Sequence, residues 1–275
     1  MANQTAITLQ TFELGALDAI AHVSAPAPTT YEPPVETPLD ASQADNTTTT
    51  VLSPSRAVIV ITQLLGVQLF TSFCNGVVVV GLPAIASAVA LEERILLWPT
   101  SVFYLTAGSC LLMAGSIADI MGSKRVNLVG CFLLAAFALA CGLARTGGEL
   151  VAFRGLQGVA SAMAVPSSIF IISTSVEAGR PRNVGFACLG LAGPLGFSIG
   201  LVLGGVFVDT IGWRAAFYLA GAFSFVMCAI GVWVLPRDIR VRSEQSIGKR
   251  LFSEIDWVGT VIATTGVTTL SYVLA

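Results

Sequence analysis

Charges are scarce in this sequence, so those that interrupt apolar runs are the candidates for chemistry. Residues 115–125, GSIADIMGSKR, hold one acid, Asp119, two turn-capable glycines, Gly115 and Gly122, and two adjacent bases, Lys124 and Arg125. An acid and two bases so spaced can form and break ion pairs. Asp119 closes an apolar helix, where the helix dipole disfavours an anion, so it calls for a partner. Arg154 is the second candidate. It lies about five residues inside another apolar run, roughly 7 Å below the surface at 1.5 Å per residue. A buried mid-depth arginine costs about 2.5–3.5 kcal/mol on insertion scales. Gln157, Gly158 and Ser161 follow it at i+3, i+4 and i+7, one polar, small-residue face. Its guanidinium either turns inward along that face or snorkels out to the headgroups.

These charges need elements to hold them, and composition says which. Hydrophobic residues make up 55% and charged residues 11% of the 275, with a mean hydropathy of +0.82. A soluble domain carries about twice that share of charge, so the chain is expected to be an all-α, multi-pass membrane protein. Net charge is −2 but uneven: residues 1–55 hold six acids and no Lys or Arg, and all fourteen bases lie from Arg56 onward. No basic surface suggests nucleic acid. The six cysteines fall in apolar segments without metal-ligand spacing and read as small buried hydrophobes. No His cluster, metal set or Ser/His/Asp constellation argues for an enzyme.

Residues 1–55, rich in Thr, Pro, Ala and acids, read as a disordered cytoplasmic tail without a signal peptide. Seven apolar runs follow, each near the roughly 20 residues that span hydrocarbon: 58–80, 100–117, 126–144, 150–173, 184–208, 214–235 and 257–275. Residues 56–235 would be a six-span bundle, 236–256 a cytoplasmic linker, and 257–275 the truncated start of a seventh span. Helices cannot reverse inside lipid without stranding backbone polar groups. Residues 115–125 are therefore expected as a hairpin loop at the membrane surface, turned at Gly122. Trp98, Trp213, Trp233 and Trp257 lie at span ends, where indoles anchor to the headgroups. Loops after spans two, four and six carry nine bases and those after spans one, three and five carry three, which puts the N-terminus in the cytoplasm. In the fifth span, Gly190, Gly193, Gly196, Gly200 and Gly204 are expected to form a ridge for close helix approach, or a hinge, with a kink at Pro194.

Several motifs then recur in order. Residues 115–125 fit G-x-x-x-D-x-x-G-x-[KR]-[KR], which resembles the signature loop of the major facilitator superfamily of transporters, although Ile120 stands where the family usually has Arg. RGLQGVASA (154–162) resembles its R-x-x-Q-G-x-G-a-A motif, with Ala160 for the second glycine. Residues 200–205 align with the antiporter motif G-P-x-x-G-G. Leu201 occupies the proline position, and a Gly193–Pro194 pair comes two turns earlier. GWRAAFYL (212–219), the pair Asp256–Trp257 and NGVVVVGLPAI (75–85) resemble fourteen-span drug:proton antiporters, fungal members above all. In the last of these, Cys74 takes the position of the family's acid.

The resemblance covers residues 56–275 and implies the N-terminal half of that fold. It implies proton-coupled efflux of a small organic molecule (a drug, toxicant or secondary metabolite) by alternating access, driven by the proton gradient without another cofactor. Gly115, Asp119, Gly122, Lys124 and Arg125 would form the conformational-switch loop, with Asp119 paired to a helix of a C-terminal half; the chain's expected protein partner is that half or a second copy of itself. Arg154, Gln157 and Gly158 would line the cavity and serve proton coupling. Gly193, Pro194, Gly196, Gly200, Gly204 and Gly205 would form the hinge helix. Gln63, Gln68, Asn75 and Tyr104 are either cavity walls or packing hydrogen bonds. With no carboxylate inside a span, a neutral or anionic substrate fits better than a cation. The partners are lipid, substrate and protons, and the expected location is the plasma membrane. The alternative is a truncated, non-transporting membrane protein that acts as a regulator or assembly partner.

Overall fold

The computed structural model describes residues 52–235, the side chain of Asp119 aside, together with Gly259, Ile262, Thr265, Gly266 and Thr269. Six long helices follow one another: α1 (Pro54–Ala88), α2 (Trp98–Met121), α3 (Ser123–Leu143), α4 (Gly147–Ser175), α5 (Arg180–Thr210) and α6 (Trp213–Val234). A single 3-10 turn, Glu93–Ile95, joins α1 to α2. Among the described residues there is no strand, and all six helices are long and apolar enough to cross a membrane. The tail up to residue 51, the linker 236–256 and most of the seventh run lie outside the described residues.

Helices extend beyond the apolar runs because lipid offers the backbone no other hydrogen-bond partner. α1 starts on Pro54, whose missing N–H costs nothing in a first turn, and continues through Pro83 to Ala88. α4 opens on a capping pair: Thr146 Oγ1 accepts from the Glu149 amide at 3.3 Å, and Glu149 Oε2 accepts from the Arg145 amide at 2.9 Å.

The hairpin expected over 115–125 shrinks to one residue. α2 stays helical to Met121 and α3 begins at Ser123; Gly122 alone reverses the chain, at φ 96° and ψ 130°. That conformation suits a residue without a Cβ. Gly115 and Asp119 therefore lie within α2, and Lys124 and Arg125 in the first turn of α3. The Asp119 side chain lies outside the described residues.

Packing runs from neighbour to neighbour in the order α5, α1, α6, α3, α4, α2. α5 rests mainly on α1 and α2 mainly on α4, so both keep an open face: only 17% of the apolar window of each is buried, against 39–56% elsewhere. One apolar core gathers Phe73, Val77, Ile85, Leu150, Trp213 and Phe217, and another Val60, Leu64, Ile172 and Leu235 at the opposite end. Trp213 lies at a span end as expected, the first residue of α6, but is not the exposed anchor its position suggested. It is buried, meets Phe217 edge-on at 5.9 Å and carries the Arg214 guanidinium 4.7 Å over its ring. Trp98 and Trp233 are exposed as an anchor requires; Trp257 lies outside the described residues.

Three cations finish helices that are not their own. Lys124 Nζ donates to the Leu235 carbonyl at the end of α6, at 2.6 Å. Arg182 donates through Nε and Nη2 to the Val176 carbonyl that ends α4, and Arg214 Nη2 to the Ala144 carbonyl that ends α3. A cation at a helix C-terminus meets the negative end of the dipole, worth about 0.3–1 kcal/mol and up to about 2 when partly buried. Lys124→Met should therefore cost about 1 kcal/mol. It should speed amide exchange in the last turn of α6 and leave α4 unchanged. Equal exchange in mutant and wild type would remove the cap.

Candidate functional site

Arg154 sits seven residues into α4, about 10 Å along the helix, and is fully buried. It does not snorkel, because three helices close over it. Nε donates to the Pro99 carbonyl of α2 at 3.1 Å. Nη1 donates to Gln157 Oε1 on α4 at 2.8 Å, and Nη2 to Asn75 Oδ1 on α1. The Phe103 ring of α2 lies 4.7 Å under the guanidinium. The planar fork of arginine can serve three acceptors from three directions, which an ammonium on a flexible stem does less well. Its ionisable neighbours are the thiols of Cys74 (α1) and Cys141 (α3) and the phenol of Tyr104 (α2). Among the described residues no carboxylate pairs with it. Among the described residues the cation is solvated by neutral dipoles and a ring face rather than neutralised by an anion.

Gln157 thus joins Arg154 directly. Gly158, one position on, does different work. A Cβ there would overlap Thr106 Oγ1 and the Phe103 carbonyl of α2, so the missing side chain is what lets α2 lie against α4. Thr106 uses the closeness, donating to the Gly155 carbonyl at 2.9 Å. Gly158→Val should push the two helices apart and pull Pro99 and Phe103 away from Arg154. Cysteine cross-linking across the α2–α4 contact should weaken accordingly; unchanged cross-linking would contradict the contact.

The four candidate cavity positions are not in one place, and Gln63 is buried within α1 away from Arg154. Asn75 is buried and bonded to Arg154. Tyr104 is exposed and lies edge-on to Phe103 at 5.2 Å. Gln68 is half-buried on α1, two turns before Asn75.

The fifth-span glycines divide into two sets. Gly196, Gly200 and Gly204 are buried against Leu69, Phe73 and Val77 of α1, and Gly76 of α1 faces the Phe197 carbonyl in return. A Cβ on Gly190 would meet nothing within 4 Å, and one on Gly193 only Ser72 Oγ at 3.9 Å. Both are therefore off the ridge on which the spacing set them. Gly205 meets Val80 at an ordinary 3.7 Å. α5 is helical through Pro194, whose ring is on the exposed side.

Two features escape a reading of side-chain types. The Pro99 carbonyl is a backbone group and leaves no trace in the sequence. Asn127, the only amide in the third apolar run, is fully buried and donates to Ala164 O, Ser167 Oγ and Ser168 Oγ of α4 at 3.0–3.2 Å.

Comparison with known proteins decides the family. The sequence profile described as Major Facilitator Superfamily matches residues 64–274. The chain belongs to the major facilitator superfamily. This superfamily member is 38% identical over 251 residues to "MFS-type transporter 1" of Pyricularia oryzae, covering 82% of the chain and 41% of that protein. It is 26% identical over 214 residues to the "Major facilitator superfamily multidrug transporter mdr3" of Aspergillus fumigatus, covering 76% of the chain and 40% of the relative. It therefore spans about two fifths of the length of the curated relatives it matches. A crystal structure of the peptide transporter POT has a similar fold at a TM-score of 0.57 and 19% identity, covering 76% of this chain and 46% of that one. At that identity the likeness concerns the fold alone.

Proposed function

We propose that this chain is the first helical bundle of a proton-coupled exporter of small organic molecules, working by alternating access against a second bundle. The observation that carries this reading is the pair of half-open helices. α2 and α5 each lean mainly on one neighbour and leave an apolar face uncovered. Alternating access rocks one repeat against another around a midplane site, and α2 and α5 are where a second bundle has room to dock. The name of the A. fumigatus relative points to drugs as a substrate class. Arg154 and the lack of a described carboxylate near it favour uncharged or anionic solutes over cations. In this reading residues 115–125 bear on the second bundle through Asp119, and Arg154 sets the geometry of the cavity wall from inside. The chain resides in the plasma membrane with α1 leaving the cytoplasm.

The test is growth of a fungal strain stripped of its own exporters, on a panel of neutral, anionic and cationic toxicants. The chain joined to a second six-helix bundle should protect against some neutral or anionic compounds and not against ethidium. The chain alone, kept monomeric, should protect against none. Protection against ethidium would sink the substrate class, and protection by the lone monomer would sink the two-bundle mechanism.

A further inference from the structure

A second buried polar group stands apart from Arg154. Gln63 of α1 is 1% exposed, and both its amide nitrogen and its amide oxygen lack a hydrogen-bond partner. They are the only buried side-chain nitrogen or oxygen atoms among the described residues in that condition. An amide carries two donors and two acceptor lone pairs, and a buried one without partners is costly enough that native structures rarely keep it. Three helices meet at this amide. A Cβ on Gly231 of α6 would sit 3.0 Å from Gln63 Nε2 and 3.1 Å from Leu128 Cδ2 of α3. The Cys131 thiol of α3 adjoins the amide without hydrogen-bond geometry. Cys131 is itself committed, donating to Asn127 Oδ1 at 3.6 Å. Cys228 of α6, in the same cluster, donates to the Leu128 carbonyl at 3.7 Å.

Polar groups therefore form a chain across the bundle. It starts at Ser167 and Ser168 on α4, passes through Asn127 and Cys131 on α3, and stops one link short at Gln63 on α1. Both thiols give their protons elsewhere, so what they can offer the amide is sulfur lone pairs, which accept weakly. A water molecule supplies what is missing, since it accepts from Nε2–H and can donate to Oε1 or to sulfur. Buried waters lie typically where otherwise unsatisfied polar groups converge. We propose that the α1/α3/α6 seam contains a hydration site seated on the Gln63 amide, holding water or a neutral hydrogen-bonding molecule of that size. α1 is then gripped in two ways: dry backbone contact with α5 on one side and a wet seam with α3 and α6 on the other.

Radiolytic hydroxyl labelling of the purified chain tests this, because buried side chains are oxidised where water sits beside them. Cys131 and Cys141 are both fully buried, and Arg154, the charged neighbour of Cys141, is already hydrogen-bonded to Pro99, Gln157 and Asn75. Cys131 should be oxidised several-fold faster than Cys141 in the wild type, and Gln63→Met should abolish the difference without raising the thermal midpoint. Equal labelling of the two thiols in the wild type would overturn the site, whether or not the mutant folds. So would a rise in the midpoint of Gln63→Met, the response expected of a dry, orphaned amide.

Discussion

Gly200→Ala should unseat α5 from α1 and lower the thermal midpoint of the solubilised chain by several degrees, while Gly190→Ala should not lower it. The same methyl is added to the same helix in both cases. At Gly200 it would overlap the Phe73 carbonyl and lie 3.0 Å from the Phe73 carbonyl carbon and Cα. Those are backbone atoms of α1 and cannot rotate aside, so the helices must separate. Overpacking of this kind costs about 1–3 kcal/mol, and the seam is continuous with Gly196 and Gly204, so the loss should spread along it. At Gly190 the methyl meets open space, and alanine is the better helix former by roughly 0.5–1 kcal/mol. Equal midpoints for the two mutants would mean that the α1–α5 contact is not the close one described.

Arg154→Met should destabilise the bundle about as severely as any single side-chain change in it. Removal of the guanidinium leaves Asn75 Oδ1 and Gln157 Oε1 buried without their donor; Asn75→Leu leaves a buried charge short of an acceptor. Hydrogen bonds to charged groups are worth about 1.5–3 kcal/mol, and stranding one member of a buried charged set costs about 3–5. The double mutant Arg154→Met with Asn75→Leu should cost less than the sum of the singles, because each single strands what the other removes. Arg154→Lys should not restore stability, since an ammonium lacks the planar fork that reaches α1, α2 and α4 together. An additive double-mutant cycle, or full rescue by lysine, would contradict a brace made of specific hydrogen bonds.

The six helices were legible because hydropathy is decisive over 20 residues, and the family motifs fixed their order. Their ends were less so. Residues 115–125 look like a loop because Asp119, Lys124 and Arg125 break the apolar pattern beside two turn-capable glycines, yet at the edge of lipid the helical backbone bond outweighs side-chain polarity, and one glycine suffices to turn. The glycine ridge was legible only in part. Each residue advances about 100° around the axis, so the steps of four from Gly196 to Gly204 drift slowly. The steps of three back to Gly190 rotate it about 120° off the seam. The burial of Arg154 could not be settled from its position, because 7–10 Å is within reach of a snorkelling side chain. What decides it is a carbonyl at Pro99, 55 residues away, and backbone groups have no signature in sequence. The role of Trp213 was misread for a related reason: a span end is also where neighbouring helices pack, and nothing local distinguishes an anchor from a core residue.

The most direct measurement is sided cysteine labelling in intact cells. Glu93, Glu177 and Ile211 are exposed residues between successive helices and Arg125 is exposed in the first turn of α3, and an impermeant maleimide reads which side each faces when it is replaced by cysteine. Six crossings with the odd-numbered helices leaving the cytoplasm require Glu93→Cys and Ile211→Cys to react from outside, and Arg125→Cys and Glu177→Cys only after permeabilisation. Reaction of positions 93 and 125 from the same side would show that α2 does not cross, and the bundle described above could not then be the membrane-embedded half of a transporter.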